Sequence, residues 1–279
     1  MVRYVSILGN NFELSLAELR AVLPRANFLI DGKTYAQFDI EDEIDCTKLL
    51  RQLGGTIKIG RIISDKVSKE NIIEDLLSTD SGKKIVFGIS EYYARVKSMD
   101  LKYKTKTQRL GMEIKKELKE GGRSVRFVVS RDPVLSSVVI AKNKCQEYMI
   151  LDNTILAKTC AVQEFEEYGM RDFGRPARDA KSGMLPPKLS KIMINLSQAK
   201  HDDIMLDPFC GSGTILQEAI VLGFKNVIGC DISEKAVSDS QKNIEWLKNE
   251  LRITNYELRI FQADVRELTK HIQRNFQKL

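Results

Sequence analysis

A short apolar run, residues 202–206, leads without a break into Asp207-Pro208-Phe209-Cys210-Gly211-Ser212-Gly213-Thr214 and then into the apolar stretch Ile215–Val221. Strand, glycine turn and helix in direct succession commit this part of the chain to a parallel α/β sheet. They also set a ligand crevice at the carboxyl end of the first strand. Gly211 and Gly213 let the backbone approach a ligand and take positive φ. The helix start offers unpaired N–H groups and a partial positive charge. A dinucleotide loop would have a third glycine at position 216, where the chain has Leu216, and a Walker loop would need a lysine that is absent.

The residues downstream keep the pattern. Asn226–Cys230 is predicted as a second strand ending in Asp231, 20 residues after Gly211. Ser233 caps a predicted helix running to Leu247, and Tyr256–Phe261 is a third strand followed by Ala263-Asp264-Val265. Each strand of this β-α-β-α-β series ends at an acid. Any one carboxylate alone reads as an exposed loop residue, but three at successive strand ends point to one ligand. Asp207 suits an ammonium, the turn's N–H groups a carboxylate, Asp231 a pair of ribose hydroxyls and Asp264 an adenine amino group. S-adenosylmethionine (SAM) carries all four. The expected cofactor residues are Asp207, Pro208, Phe209, Cys210, Gly211, Ser212, Gly213, Thr214, Asp231, Ile232, Asp264 and Val265.

The first part of the chain has a different rhythm. Tyr4–Leu8, Leu14–Leu23, Asn27–Ile30, Thr34–Ile40, Asp45–Leu53 and Ile57–Ile63 read as β-α-β-β-α-β, the ferredoxin-like order. In residues 68–165, Asn71–Leu77 reads as a helix and Lys84–Ile89 as a strand. Lys104–Lys119 is a helix with Leu110, Ile114 and Leu118 on one stripe, and Ser124–Val129 a strand. Ser136–Asn143 suits a helix, and Tyr148–Leu151 and Ile155–Val162 are strands. Residues 164–178 read as a polar linker, and Lys188–Gln198 as an amphipathic helix.

Charge is where composition helps. The chain of 279 residues has a net charge of only +6, but residues 102–131 hold ten Lys/Arg against three Glu, and residues 171–200 seven against two Asp. Few aromatics interleave with these cations, which favours contact with a phosphate backbone over base stacking. Lys102, Lys104, Lys106, Arg109, Arg123, Arg126 and Arg131 are the expected RNA-binding residues; the bland reading is a solvated helix face. The two histidines and five dispersed cysteines form neither a metal cluster nor a disulfide framework, so no metal is expected and a reducing, cytoplasmic setting is. No apolar run is long enough for a membrane span, and oligomeric state is left open.

Asp207–Thr214 resembles motif I of the amino-group methyltransferases, with Asp231 and Asp264 at the second and third acidic positions. The run from Arg171 through Arg175, Met184 and Pro186-Pro187 to Leu189 is similar to the element preceding motif I in the THUMP-containing tRNA guanine-10 N2-methyltransferases. Ser130–Ser137 and the basic helix carry the rest of the likeness. The resemblance implies three parts: a ferredoxin-like domain (1–66), a THUMP RNA-binding domain (67–165) and a Rossmann-like methyltransferase domain (166–279). It implies SAM as cofactor, tRNA as partner and methyl transfer to the exocyclic N2 of a guanosine. Methylation of rRNA or DNA, and non-catalytic RNA binding, are the alternatives.

That family's fourth motif, Asp/Asn-Pro-Pro-aromatic, holds the target amine and follows the fourth strand. None of the six prolines lies after Pro208, and the acidic series supplies three strands, in spatial order 3-2-1. The catalytic domain is therefore expected to be incomplete, with the first strand an exposed edge, and the chain alone to be inactive, with no catalytic residue of its own. A fragment of a longer enzyme is the simplest account.

Overall fold

Val5, Ile7 and their neighbours make β1 (Val2–Leu8) a nearly fully buried strand. α1 (Phe12–Val22) follows, its first turn capped by Asn11, whose side-chain oxygen accepts the Leu14 N–H at 3.2 Å. Next come β2 (Asn27–Asp31), β3 (Tyr35–Ile40), α2 (Cys46–Gln52) and β4 (Thr56–Ser64). These four strands are antiparallel and lie in the order β2-β3-β1-β4. The computed structural model describes residues 1–79, 82–95, 101–178 and 183–270, without the side chains of 101–105.

The same sheet continues through α3 (Lys69–Ser78), β5 (Ile85–Tyr92), α4 (Leu101–Glu120), β6 (Val125–Val128), α5 (Ser137–Asn143), β7 (Gln146–Leu151) and β8 (Ile155–Val162). Its eight strands run β2-β3-β1-β4-β8-β7-β5-β6. β4 pairs antiparallel with β8, while β5 pairs parallel with both β6 and β7. Residues 1–66 and 67–165 thus share one hydrogen-bonded sheet, and all but residues 52–54 of this stretch falls in one compact unit.

The stripe predicted on α4 faces inward. Ile114 and Leu118 are buried against Ile72 and Leu76 of α3 and against Phe87, Val125, Tyr148 and Ile150, with Leu110 partly buried beside them. Where β4, β5, β7 and β8 meet, the core is polar. Lys58 Nζ donates to Glu147 Oε1 at 2.6 Å, to Tyr92 Oη at 2.9 Å and to the Leu135 carbonyl at 2.5 Å. The Ser90 and Thr159 hydroxyls donate to the same Glu147 carboxylate at 2.5 and 2.6 Å. Burial drives the Lys58 pKa down against the pull of Glu147.

The second unit comprises residues 52–54 and 166–279. Where the sequence reads as a linker, the structure has a helix, α6 (Phe165–Phe173), with Tyr168 and Arg171 buried. Its charged residues suggest a solvated segment, but Arg171 turns inward to a carboxylate instead of outward to water. α7 (Pro187–Ser197) starts with Pro187 at its first position, as helix starts favour. β9 (Ile204–Asp207), α8 (Thr214–Leu222), β10 (Asn226–Asp231), α9 (Glu234–Leu251) and β11 (Glu257–Gln262) follow, then a single 3-10 turn, Val265–Glu267. The three strands are parallel in the order β11-β10-β9, with Asn226 opposite both Ile204 and Glu257. Among the described residues β9 is an edge, and Ile204 and Leu206 are exposed on it.

The candidate cofactor site

β9, β10 and β11 run parallel and in register, so their carboxyl ends sit side by side. Asp207 is opposite Gly229, and Asp231 is opposite Gln262, two residues before Asp264. The three predicted acids therefore come together along one end of the sheet.

The glycine turn is fixed from its neighbour strand. The Gly211 N–H donates to Asp231 Oδ2 at 3.0 Å, the Cys210 N–H to the Cys230 carbonyl at 2.9 Å, and Asp231 Oδ1 accepts the Ser233 N–H at 2.9 Å. Both glycines have the predicted positive φ, +51° at Gly211 and +84° at Gly213. They serve different needs. A side chain at Gly213 would start 2.3 Å from the Ser240 hydroxyl on α9, whereas at Gly211 it would meet open space. Asn243 of α9 closes the turn from behind. Its amide donates to the carbonyls of Ser212 and Ala177, each at 2.9 Å, and its oxygen accepts the Ala177 N–H at 2.9 Å.

Asp207 is buried, and its Oδ1 accepts the Phe209 N–H at 3.1 Å. Burial raises its pKa, the Phe209 bond lowers it and the nearby Asp231 charge adds to the rise. Asp264 differs. Its carboxylate caps the 3-10 turn through the Arg266 N–H at 2.9 Å and grips the Arg266 guanidinium, which holds its pKa down at about 2. Asp264 thus stands at the expected strand end, but its carboxylate is committed to its own turn. Three apolar side chains, Phe209, Ile232 and Val265, are exposed at these same strand ends; Ile232 and Val265 directly follow an acid and Phe209 lies two residues after one. Exposed apolar groups beside carboxylates suit a planar base with a polar sugar.

The sequence reading missed the buried cations gathered on α8. Arg175 Nη1 donates to the hydroxyl of Thr214, the first residue of α8, at 2.6 Å. Arg171 Nε donates to Glu218 Oε1 of α8 at 2.6 Å, and Lys191 Nζ lies 3.7 Å from Glu218 Oε2. Tyr168 offers its ring face to the Arg171 and Lys191 cations at 4.8 and 5.0 Å. One signal was present: a glutamate within the apolar run of α8 must be paired when buried.

The predicted RNA-binding cations are spread over α4, β6 and their loops. Lys106 and Arg109 are exposed on α4, where Arg109 pairs with Glu113 at 3.0 Å. Arg126 is exposed on β6, Arg131 is exposed after it, and Arg123 is half-buried. The side chains of Lys102 and Lys104 lie outside the described residues. Among the described residues, no group of three or more metal-ligating side chains occurs and no helix is long and apolar enough to cross a membrane.

Residues 175–275 match the family model described as UPF0020, RMKL-like, methyltransferase domain. Curated relatives called tRNA (guanine(10)-N2)-dimethyltransferase are similar in sequence. The one from Methanocaldococcus jannaschii is 37% identical over 97 residues, which is 35% of this chain and 27% of that protein. The one from Methanothermobacter thermautotrophicus is 36% identical over 121 residues, 43% of this chain and 33% of that protein. These two alignments span a third or less of the relatives' own length. The relative from Pyrococcus abyssi is 26% identical over 245 residues, 87% of this chain and 67% of that protein. Among solved structures, TrmN from Thermus thermophilus has a TM-score of 0.50 at 16% identity, covering 99% of this chain and 76% of that one. By fold that likeness takes in both units.

Proposed function

We propose that the chain takes part in SAM-dependent methylation of the exocyclic N2 amine of a guanosine in tRNA. Residues 166–279 hold the methyl donor and residues 1–165 bind the RNA. The observation that carries this reading is the alignment of Asp207, Asp231 and the Gly211 turn at one sheet end, open on the Gly211 side. The similarity to relatives named as tRNA guanine-10 dimethyltransferases supports the substrate.

SAM, when bound, supplies a methyl group on a sulfonium, an electrophile that needs little acid–base help. The work left to this chain is positioning. Asp207 would hold the ammonium, Asp231 would accept from the ribose, and Phe209, Ile232 and Val265 would border the base. Asp264 orders the 3-10 turn at the adenine side. Residues 1–66, with strand order β2-β3-β1-β4, form the ferredoxin-like part. Residues 67–165, with the basic helix α4 and Arg126, form the THUMP-like part, and one sheet joins the two. The amine-holding Asp-Pro-Pro motif is not in the sequence; this chain alone is therefore expected to bind donor and tRNA without transferring methyl from labelled SAM to bulk tRNA.

Mass mapping of tRNA from cells lacking the gene tests the assignment. Loss of an N2-methylated guanosine supports it, and an unchanged guanosine set would refute it.

A further inference from the structure

Arg175, just beyond α6, is 2% exposed. Its Nη1 is spent on Thr214, but its Nε and Nη2 are buried with no hydrogen-bond partner among the described residues. Buried donors are nearly always paired, because an unpaired one forfeits its hydration for nothing. The position compounds this. The guanidinium is tied to the first residue of α8, a helix of nine residues whose N-terminal end carries partial positive charge and repels a cation.

Among the described residues, the surroundings are short of negative charge. Arg171, Arg175 and Lys191 are each 2% exposed, and among the described residues one fully buried carboxylate, Glu218, stands against them. Glu218 is taken by Arg171 and Lys191, and the half-exposed Glu167 reaches Arg171 at 3.6 Å. Asp172 and Glu218 act on Arg175 only through space. The unmatched cation is the one at the glycine turn.

We infer that Arg175 is a docking residue for the anionic end of the ligand held at this turn. Taking the site as a SAM site, on which this inference rests, that end is the methionine carboxylate. The turn then has opposite charges at its two ends: buried Asp207, where it starts, for the ammonium, and buried Arg175, bonded to Thr214 where it ends, for the carboxylate. This arrangement fits a zwitterion and not a phosphate diester, which would have no use for Asp207.

Calorimetric titration of the full chain with SAM and with decarboxylated SAM, which keeps the ammonium and lacks the carboxylate, tests this. The wild type is expected to prefer SAM by about tenfold or more, as for a charge-assisted hydrogen bond. R175Q should lose that preference by weakening SAM alone, and R175K should fall between. Equal affinity of the wild type for the two ligands would overturn the inference even where R175Q fails to fold. Equal weakening of both ligands in R175Q would also overturn it, by assigning Arg175 a purely structural role. A wild type that binds neither ligand would instead refute the SAM site itself, and the inference with it.

Discussion

Asp231, the last residue of β10, accepts the Gly211 N–H of the preceding strand's turn at 3.0 Å. One carboxylate oxygen shapes the turn while the other holds the Ser233 N–H that starts α9. Asp231 thus orders two elements at once. Asp231→Ala should therefore weaken SAM binding about tenfold or more and destabilise the second unit by about 1–3 kcal/mol, the cost of leaving partnered donors unpaired. Asp231→Asn keeps acceptor oxygen for one N–H and should recover part of the stability but not the affinity. Calorimetry and thermal unfolding separate the two effects. Normal SAM affinity in Asp231→Ala would remove Asp231 from the ligand site.

Asp207 predicts a pH dependence. Burial raises the pKa of its carboxyl in the free protein, and a bound ammonium would favour the charged form and pull that pKa down. By linkage, ligand affinity should then be full above the raised pKa and fall as pH drops through it. SAM affinity measured from about pH 7.5 down to the carboxylate range should decline, and Asp207→Asn should be weaker at neutral pH with a flattened profile. A wild-type profile identical to that of Asp207→Asn would place the ammonium elsewhere.

The strand-turn-helix at Asp207–Thr214 was legible because glycine placement and strand-end acids act through the backbone over short stretches of chain. The bond from Gly211 to Asp231 follows from that pattern. The pairings of Arg175 with Thr214 and of Arg171 with Glu218 were not legible, since nothing local says that an arginine in a charged segment turns inward. For the same reason α6 reads as a linker in the sequence. The order of elements in residues 3–63 could be read from alternation and turns. The antiparallel pairing of β4 with β8, which carries the sheet past residue 66, joins residues about a hundred positions apart and left no mark in the pattern.

The buried Lys58–Glu147 pair holds that long-range junction. Replacing Lys58 by Met leaves Glu147 with two hydroxyl donors and no cation, and removing one partner of a buried pair costs about 3–5 kcal/mol. Lys58→Met should lower the unfolding free energy of the first unit by about that much, and the double change Lys58→Met with Glu147→Gln should recover a large part of it. Chemical denaturation checks both. A single variant as stable as the wild type would show the pair to be dispensable.

The cations on α4 and β6 supply the test of RNA contact. Lys106 and Arg126 are exposed and Arg123 half-buried, and side chains that neutralise phosphates release counterions, so each contact adds about 0.7–0.9 to the slope of log affinity against log salt. Replacing Lys106, Arg123 and Arg126 together should weaken tRNA binding and flatten that slope by about two units, while leaving SAM binding to the second unit unchanged. Filter binding over a range of salt concentrations measures both quantities. Unchanged affinity and slope would return these residues to an ordinary solvated surface and move the RNA contact to other cations of the chain.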